Sequence, residues 1–183
     1  MCGRRAVVVC AFLAIVVMPV FTQAQVTPEL VRTRTEREWT VKAEKMRQHL
    51  LPLMRHHGID LWLILSRENA PDPLIELFGG YGISGWYGHR NAYLFADLGP
   101  GQGLETTAIG THLSGHLRRF YDTITLYGEE GLKPHLREYL VSHDPKRIAI
   151  NQSRTISMAD GLTAELRDYL LTVLRPNLRD RLV

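Results

Sequence analysis

The sequence predicts an α/β domain: a mixed sheet of about five strands with helices on both faces. Three observations predict it. Apolar runs of strand length recur, as in "IDLWLIL", "NAYLFADLG" and "LETTAIGTH". Longer segments carry apolar residues at helical spacing. The two kinds alternate along the chain, which is the pattern of a layered sheet covered by helices.

The first 24 residues stand apart from that domain. Arg4 and Arg5 precede an apolar run from Ala6 to Met18, and the small residues Thr22 and Ala24 sit where a cleavage site would be. This order is that of a secretory signal peptide, so the mature protein is expected to be exported, periplasmic or secreted, and to begin near Gln25. The run is shorter than the ~20 apolar residues of a spanning helix and is interrupted by Pro19, so no stable membrane anchor is expected. Cleavage removes two arginines and no acid, and the formal charge falls from +3 to +1. No dense basic stripe remains, so nucleic acid is not an expected partner. Cys2 and Cys10, the two cysteines of the chain, lie in the signal, which leaves the exported part without disulfides or a thiol nucleophile.

Residues 25–37 are polar and read as a loose N-terminal segment. From Glu38 to His57, Trp39, Ala43, Met46, Leu50, Leu53 and Met54 mark one helical face, with Pro52 as a kink and Gly58 as the stop. "IDLWLIL" reads as a buried first strand and Leu74 to Phe78 as a short helix. "NAYLFADLG", "LETTAIGTH" and "DTITLYG" supply strands two to four. "GLKPHLREYLVSH" reads as a helix with Leu136, Leu140 and Tyr139 inward, and "KRIAIN" as the fifth strand. Ala159, Leu162, Leu166, Tyr169, Leu170 and Val173 form the stripe of a last helix, with Ser157 and Asp160 resembling a capping box at its start.

Motifs of chemistry are sparse. Gly80-Tyr81-Gly82-Ile83-Ser84-Gly85 matches the G-x-G-x-x-G string, but a dinucleotide site needs that loop directly between a strand and a helix, and here a strand follows it. His112 and His116 have the spacing of two ligands on one helical turn, without the glutamate of H-E-x-x-H and with Gly115 between them. The acids are scattered at caps and on solvated faces, and no pair has the placement of a general acid and base. From composition and spacing the chain is an exported α/β domain of open role.

Three stretches, taken in order, point further: "LPLMRHHGIDLWLILSREN" with Asp72-Pro73 beyond it, "YGHRNAYLFADLG", and "DPKRIAINQSRTISMADGLTAEL". Together they resemble the N-terminal, creatinase-type domain of the M24 metallopeptidases, which include Xaa-Pro aminopeptidases, prolidases and creatinases. The resemblance covers residues 38–183, and the "GID" and "ADGL" elements are its most specific parts. It implies a ribonuclease H-like fold with no metal ligands of its own. The family's two divalent metals (Mn, Co or Zn) belong to a following pita-bread catalytic domain, which this sequence lacks. Alone, the chain is therefore expected to bind no cofactor and to be inactive. The implied partners are that catalytic domain or a second subunit, with peptide substrate met only in the full assembly. The implied role is dimerisation and substrate gating, and the loop "GGYGISGWYGHR" is the part that would reach toward substrate. Trp86, Tyr87 and Arg90 are the candidate substrate-facing residues, with Arg67 and Glu68 behind them. The alternatives are a free-standing binding module of the same fold and, on the glycine loop alone, a nucleotide-binding protein.

Overall fold

The computed structural model describes residues 26–67, 70–79, 89–111, 113 and 115–183. The signal segment, the glycine-rich loop with Trp86 and Tyr87, and the positions of Glu68, His112 and Ser114 lie outside the described residues.

Helix α1 (Pro28–His56) precedes β1 (Leu61–Arg67), β2 (Arg90–Asp97), β3 (Leu104–Gly110) and β4 (Thr123–Leu126). Helix α2 (Leu132–His143), β5 (Ile148–Ile150), α3 (Ala164–Val173) and the short α4 (Pro176–Arg179) complete the chain. Single 3-10 turns occupy Ile75–Phe78, Gly115–Arg119 and Ser157–Ala159. The five strands form one mixed sheet in the order β4-β3-β2-β1-β5. Strands β1, β2 and β3 pair antiparallel as a meander, β5 joins β1 in parallel, and β4 joins β3 in parallel.

The α/β sheet with helices on both faces is thus present, and the period of two in β1 and β2 places each side chain. Leu61, Leu63, Leu65, Ala92, Leu94 and Ala96 face a core shared with α2 and α3. Ile64, Tyr93 and Phe95 face the opposite core, covered by α1 and the two 3-10 turns before β2 and β4. Both faces of the central strands are covered, which explains their unbroken apolar runs.

Two boundaries differ from the sequence reading. Residues 28–37 are helical rather than loose. Thr27 accepts the Leu30 amide at 3.2 Å, Pro28 sits in the first turn, and Glu29 places an acid there. That is a full helix start, and it outweighs the lack of an apolar stripe in this segment. Pro52 lies inside α1 without ending it, and Gly58 turns the chain out at φ +62°. Leu53 is 55% exposed rather than inward. The last helix begins at Ala164, not Ala159: Thr163 is its cap, accepting the Leu166 amide at 3.3 Å, while Ser157 and Asp160 belong to a separate 3-10 turn.

At the far edge of the sheet, residues 181–183 lie beside β5. Arg181 O accepts from Ile148 N at 2.8 Å, Val183 N donates to Ile148 O at 2.9 Å, and Val183 O accepts from Ile150 N at 3.3 Å.

Candidate functional site

The sheet end formed by the carboxyl ends of β1 and β5 is where open α/β sheets commonly place their sites. Arg90 opens β2 at this end, in register with Arg67 of β1. Both guanidinium groups reach Glu165 in the first turn of α3. Arg90 Nη2 donates to Glu165 Oε1, and Arg67 Nη1 lies 3.6 Å from Glu165 Oε2. The Arg90 guanidinium also covers the ring of Tyr169 at 4.4 Å. Its main chain is held by Tyr127, whose hydroxyl donates to Arg90 O at 2.5 Å and accepts from Arg90 N at 3.2 Å. Burial pushes the Tyr127 and Tyr169 hydroxyls up from their ordinary value, against the opposing pull of the Arg90 charge. Of the candidate substrate-facing residues, then, the described one joins β2 to α3 by an ion pair and a cation–π contact. A cleft of about 300 Å³ opens beside it, between Tyr127, Tyr169 and the start of α2.

A second polar group joins the loop after β1 to the turn before α3. Trp62 Nε1 donates to Asn151 Oδ1 at 2.8 Å, and Asn151 Nδ2 donates to Asp72 Oδ2 at 2.8 Å. The other Asp72 oxygen accepts the Leu74 amide at 2.9 Å. Asp72 and Asn151 are 2% and 4% exposed, and burial pushes the Asp72 carboxyl up despite these two donors. Asn151 O then accepts the Leu162 amide at 2.9 Å, which draws in the "ADGL" turn. A Cβ on Gly161 would fall 2.1 Å from Asp72 Oδ2 and 2.7 Å from Pro73, so only glycine fits here. At the opposite sheet end, Asp60 Oδ2 accepts the amides of Lys146 (2.8 Å) and Arg147 (3.0 Å), pinning the start of β1 to the entry of β5. These residues hold elements together and leave no group poised for chemistry.

The third cluster lies between α2 and the β3–β4 side of the sheet, lining a cleft of about 330 Å³. His143 Nε2 is 3.1 Å from Glu105 Oε1, and Ser142 Oγ is 3.1 Å from His143 Nδ1. The elements of a Ser-His-Glu triad are adjacent, but the roles are not. Ser142 donates its proton to Tyr139 O at 2.9 Å, and His143 Nδ1 faces the same carbonyl at 2.9 Å. The imidazole nitrogen beside Ser142 is therefore a donor and offers no base to the hydroxyl. Tyr139 stacks on His143 with centroids 4.0 Å apart and donates to Glu105 at 2.7 Å. This cluster fastens the end of α2 to β3. The i, i+4 spacing of Tyr139 and His143 was the sequence signal for it.

His116 is likewise structural. Its Nε2 contacts Gly79 O at 2.5 Å, and its ring stacks on Trp39 at 4.4 Å. Among the described residues no group of three or more His, Cys, Asp or Glu side chains is placed to hold a metal ion. No helix among them is long and apolar enough to cross a membrane.

On the other face, α1 and the turn before β2 leave an apolar groove of about 750 Å³, floored by Met46, Leu50, Trp62, Leu74 and Phe78. The sequence does not display it, because Leu53 shares the helical spacing of the buried Met46, Leu50 and Met54. No protein-family model matches the chain, and no curated protein matches it significantly.

Proposed function

We propose that this chain is the creatinase-type N-terminal domain of an exported M24 metallopeptidase of the Xaa-Pro aminopeptidase or prolidase class. In this reading it serves dimerisation and substrate gating, and the hydrolytic metals belong to a separate catalytic domain. The observation that supports the reading is the convergence of the three sequence stretches on which the resemblance rests. Asp60 ties the first to the third through the Lys146 and Arg147 amides. Asp72 ties them again through Asn151 and Gly161, and Arg90 of the second meets Glu165 of the third. Residues scattered over a hundred positions are thus the fastenings of one mixed sheet, which is what a resemblance grounded in a shared fold requires.

The reading assigns Arg90 a positioning role: it sets the start of β2 against α3, directly after the loop that would face substrate. The test is to supply a pita-bread catalytic domain in trans, or to read the coding sequence after Val183 for an in-frame domain carrying two aspartates, a histidine and two glutamates. Hydrolysis of an Xaa-Pro-Xaa tripeptide that rises when this chain is added supports gating. A rate indifferent to the chain, with no such domain encoded, removes the proposal in favour of a free-standing binding module.

A further inference from the structure

We infer that the groove along α1 is a docking site for an acidic amphipathic helix of a partner protein. The inference does not rest on the family reading above. The groove follows α1 from Arg34 to Leu53, roughly 28 Å at the helical rise per residue. Its floor is apolar and includes the buried Met46 and Leu50. Its rim leaves Leu53, Leu77 and Val41 exposed at 55%, 46% and 40%, large apolar area that a second body would cover.

Charge selects the occupant. Arg34, Arg37, Lys45 and His49 line the α1 side, all exposed, and none forms an ion pair among the described residues. The one acid of the lining, Glu38, already pairs with Lys42 at 2.5 Å. The basic groups span 16 residues of helix, Arg34 to His49, roughly 22 Å. A fatty acid has one carboxylate and meets one of them. A flat anionic bilayer cannot reach a concave floor. A helix with apolar residues every third or fourth position and acids on its flanks meets floor and rim together, which is the helix-in-groove mode of recognition.

The experiment titrates a fluorescein-labelled acidic amphipathic peptide of about 20 residues, matched to the groove length, into the 183-residue chain and reads anisotropy. We expect saturable binding, at least about tenfold weaker for the same peptide with lysine in place of glutamate, and weakening as salt screens the rim charges. Leu53→Asp with Leu77→Asp should abolish binding, and both sites are exposed enough for the fold to survive, as circular dichroism would verify. Arg34→Glu with Lys45→Glu should reverse the preference toward the basic peptide. Equal binding of both peptides, no binding at millimolar peptide, or affinity unchanged in the Leu53/Leu77 variant overturns the inference. So does tighter binding once residues 80–88 are replaced by a glycine–serine linker, which would assign the groove to this chain's own segment. Concentration-dependent dimerisation lost in Leu77→Asp would assign it to a second copy, and binding to anionic vesicles alone would assign it to lipid.

Discussion

The two faces of the sheet are covered by different means. The α2–α3 face is aliphatic and sealed: Leu136, Leu166 and Leu170 are fully buried against Leu61, Leu94 and Ile148. The α1 face is aromatic and incompletely covered. Tyr93, Phe95, Phe120 and Tyr121 fill its centre, Trp62, Phe78 and Phe95 meet at 4.9–5.8 Å, and the groove runs along its margin. Interdigitating leucines from two short helices close a surface. One long helix and two 3-10 turns cannot, because a single cylinder covers a sheet only along its line of contact. Among the described residues the sealed face leaves no apolar margin of this kind, and the open one leaves Leu53, Leu77 and Val41 uncovered.

The sharpest way to break that comparison is to cut equal volumes from both faces. Leu166→Ala is expected to cost about 2–5 kcal/mol, toward the upper end because its surroundings are fixed on all sides. Met46→Ala should cost about 2 kcal/mol, since the groove beside it can relax or admit water. Urea midpoints at constant m-value measure both, and equal losses would deny that the faces differ.

Next in size is the seam where the turn before α3 meets the loop after β1. Asn151→Ala leaves the buried Asp72 carboxylate with one donor and Trp62 Nε1 without an acceptor, at about 1–3 kcal/mol. Gly161→Ala drives a methyl into Asp72 and should cost a comparable about 1–3 kcal/mol as overpacking. A double variant well short of the sum of the two losses would place both in one network, whereas simple addition would separate them.

The seam and the α1 face should also titrate in opposite directions. Burial raises the Asp72 carboxyl above its unfolded value. Its penalty is absent below the unfolded pKa of about 3.9 and grows as pH rises toward the folded value, so stability falls with rising pH there. Asp97 is the reverse. Its bidentate contacts with Arg55, at 2.8 and 2.7 Å, hold its carboxyl below the ordinary range. Its contribution is present above the unfolded pKa and is lost as pH falls through the depressed one. Comparing the native chain with Asp72→Asn and Asp97→Asn across pH 2–6 should remove one slope of each sign; slopes of the same sign would refute the assignment. Smallest is Arg90→Ala, which breaks a partly exposed pair with Glu165 and should cost about 1 kcal/mol or less, with Glu165→Gln costing the same and the pair not additive.

Much of the fold was legible because it is local. All five strands and both longer helices after the first strand follow from apolar runs, and the alternation of Leu63, Ile64 and Leu65 between two cores is the period of two made visible. The start of α1 was also legible in Thr27, Pro28 and Glu29, but the mostly polar residues 29–37 hid it, since an exposed helix has no stripe. What the chain could not display is the seam. Asn151 selects Asp72 across 79 positions, and that contact fixes the turn before α3, whose own start is set by the Thr163 cap rather than the cap-like Ser157. Arg90 was visible as a charge, but its engagement with Glu165 and Tyr169 depends on α3 folding back over the start of β2. The groove was invisible because Leu53 has the spacing of a core residue and only the placement of its neighbours leaves it uncovered.

The strand-like pairing of residues 181–183 with β5 makes the two margins of the sheet unequal. An unpaired margin is a template on which another chain can add a strand. Here the backbone of β5 is already occupied on its outer side, so addition there must first displace a native partner. The other margin, β4, offers four residues, too few for extensive pairing, though Leu126 is 61% exposed on it. Among the described residues, recruitment of foreign backbone directly onto β5 is therefore obstructed, and β4 is left as a short margin. This confines assembly through hydrogen-bonded extension and leaves side-chain surfaces as the broader route to any complex.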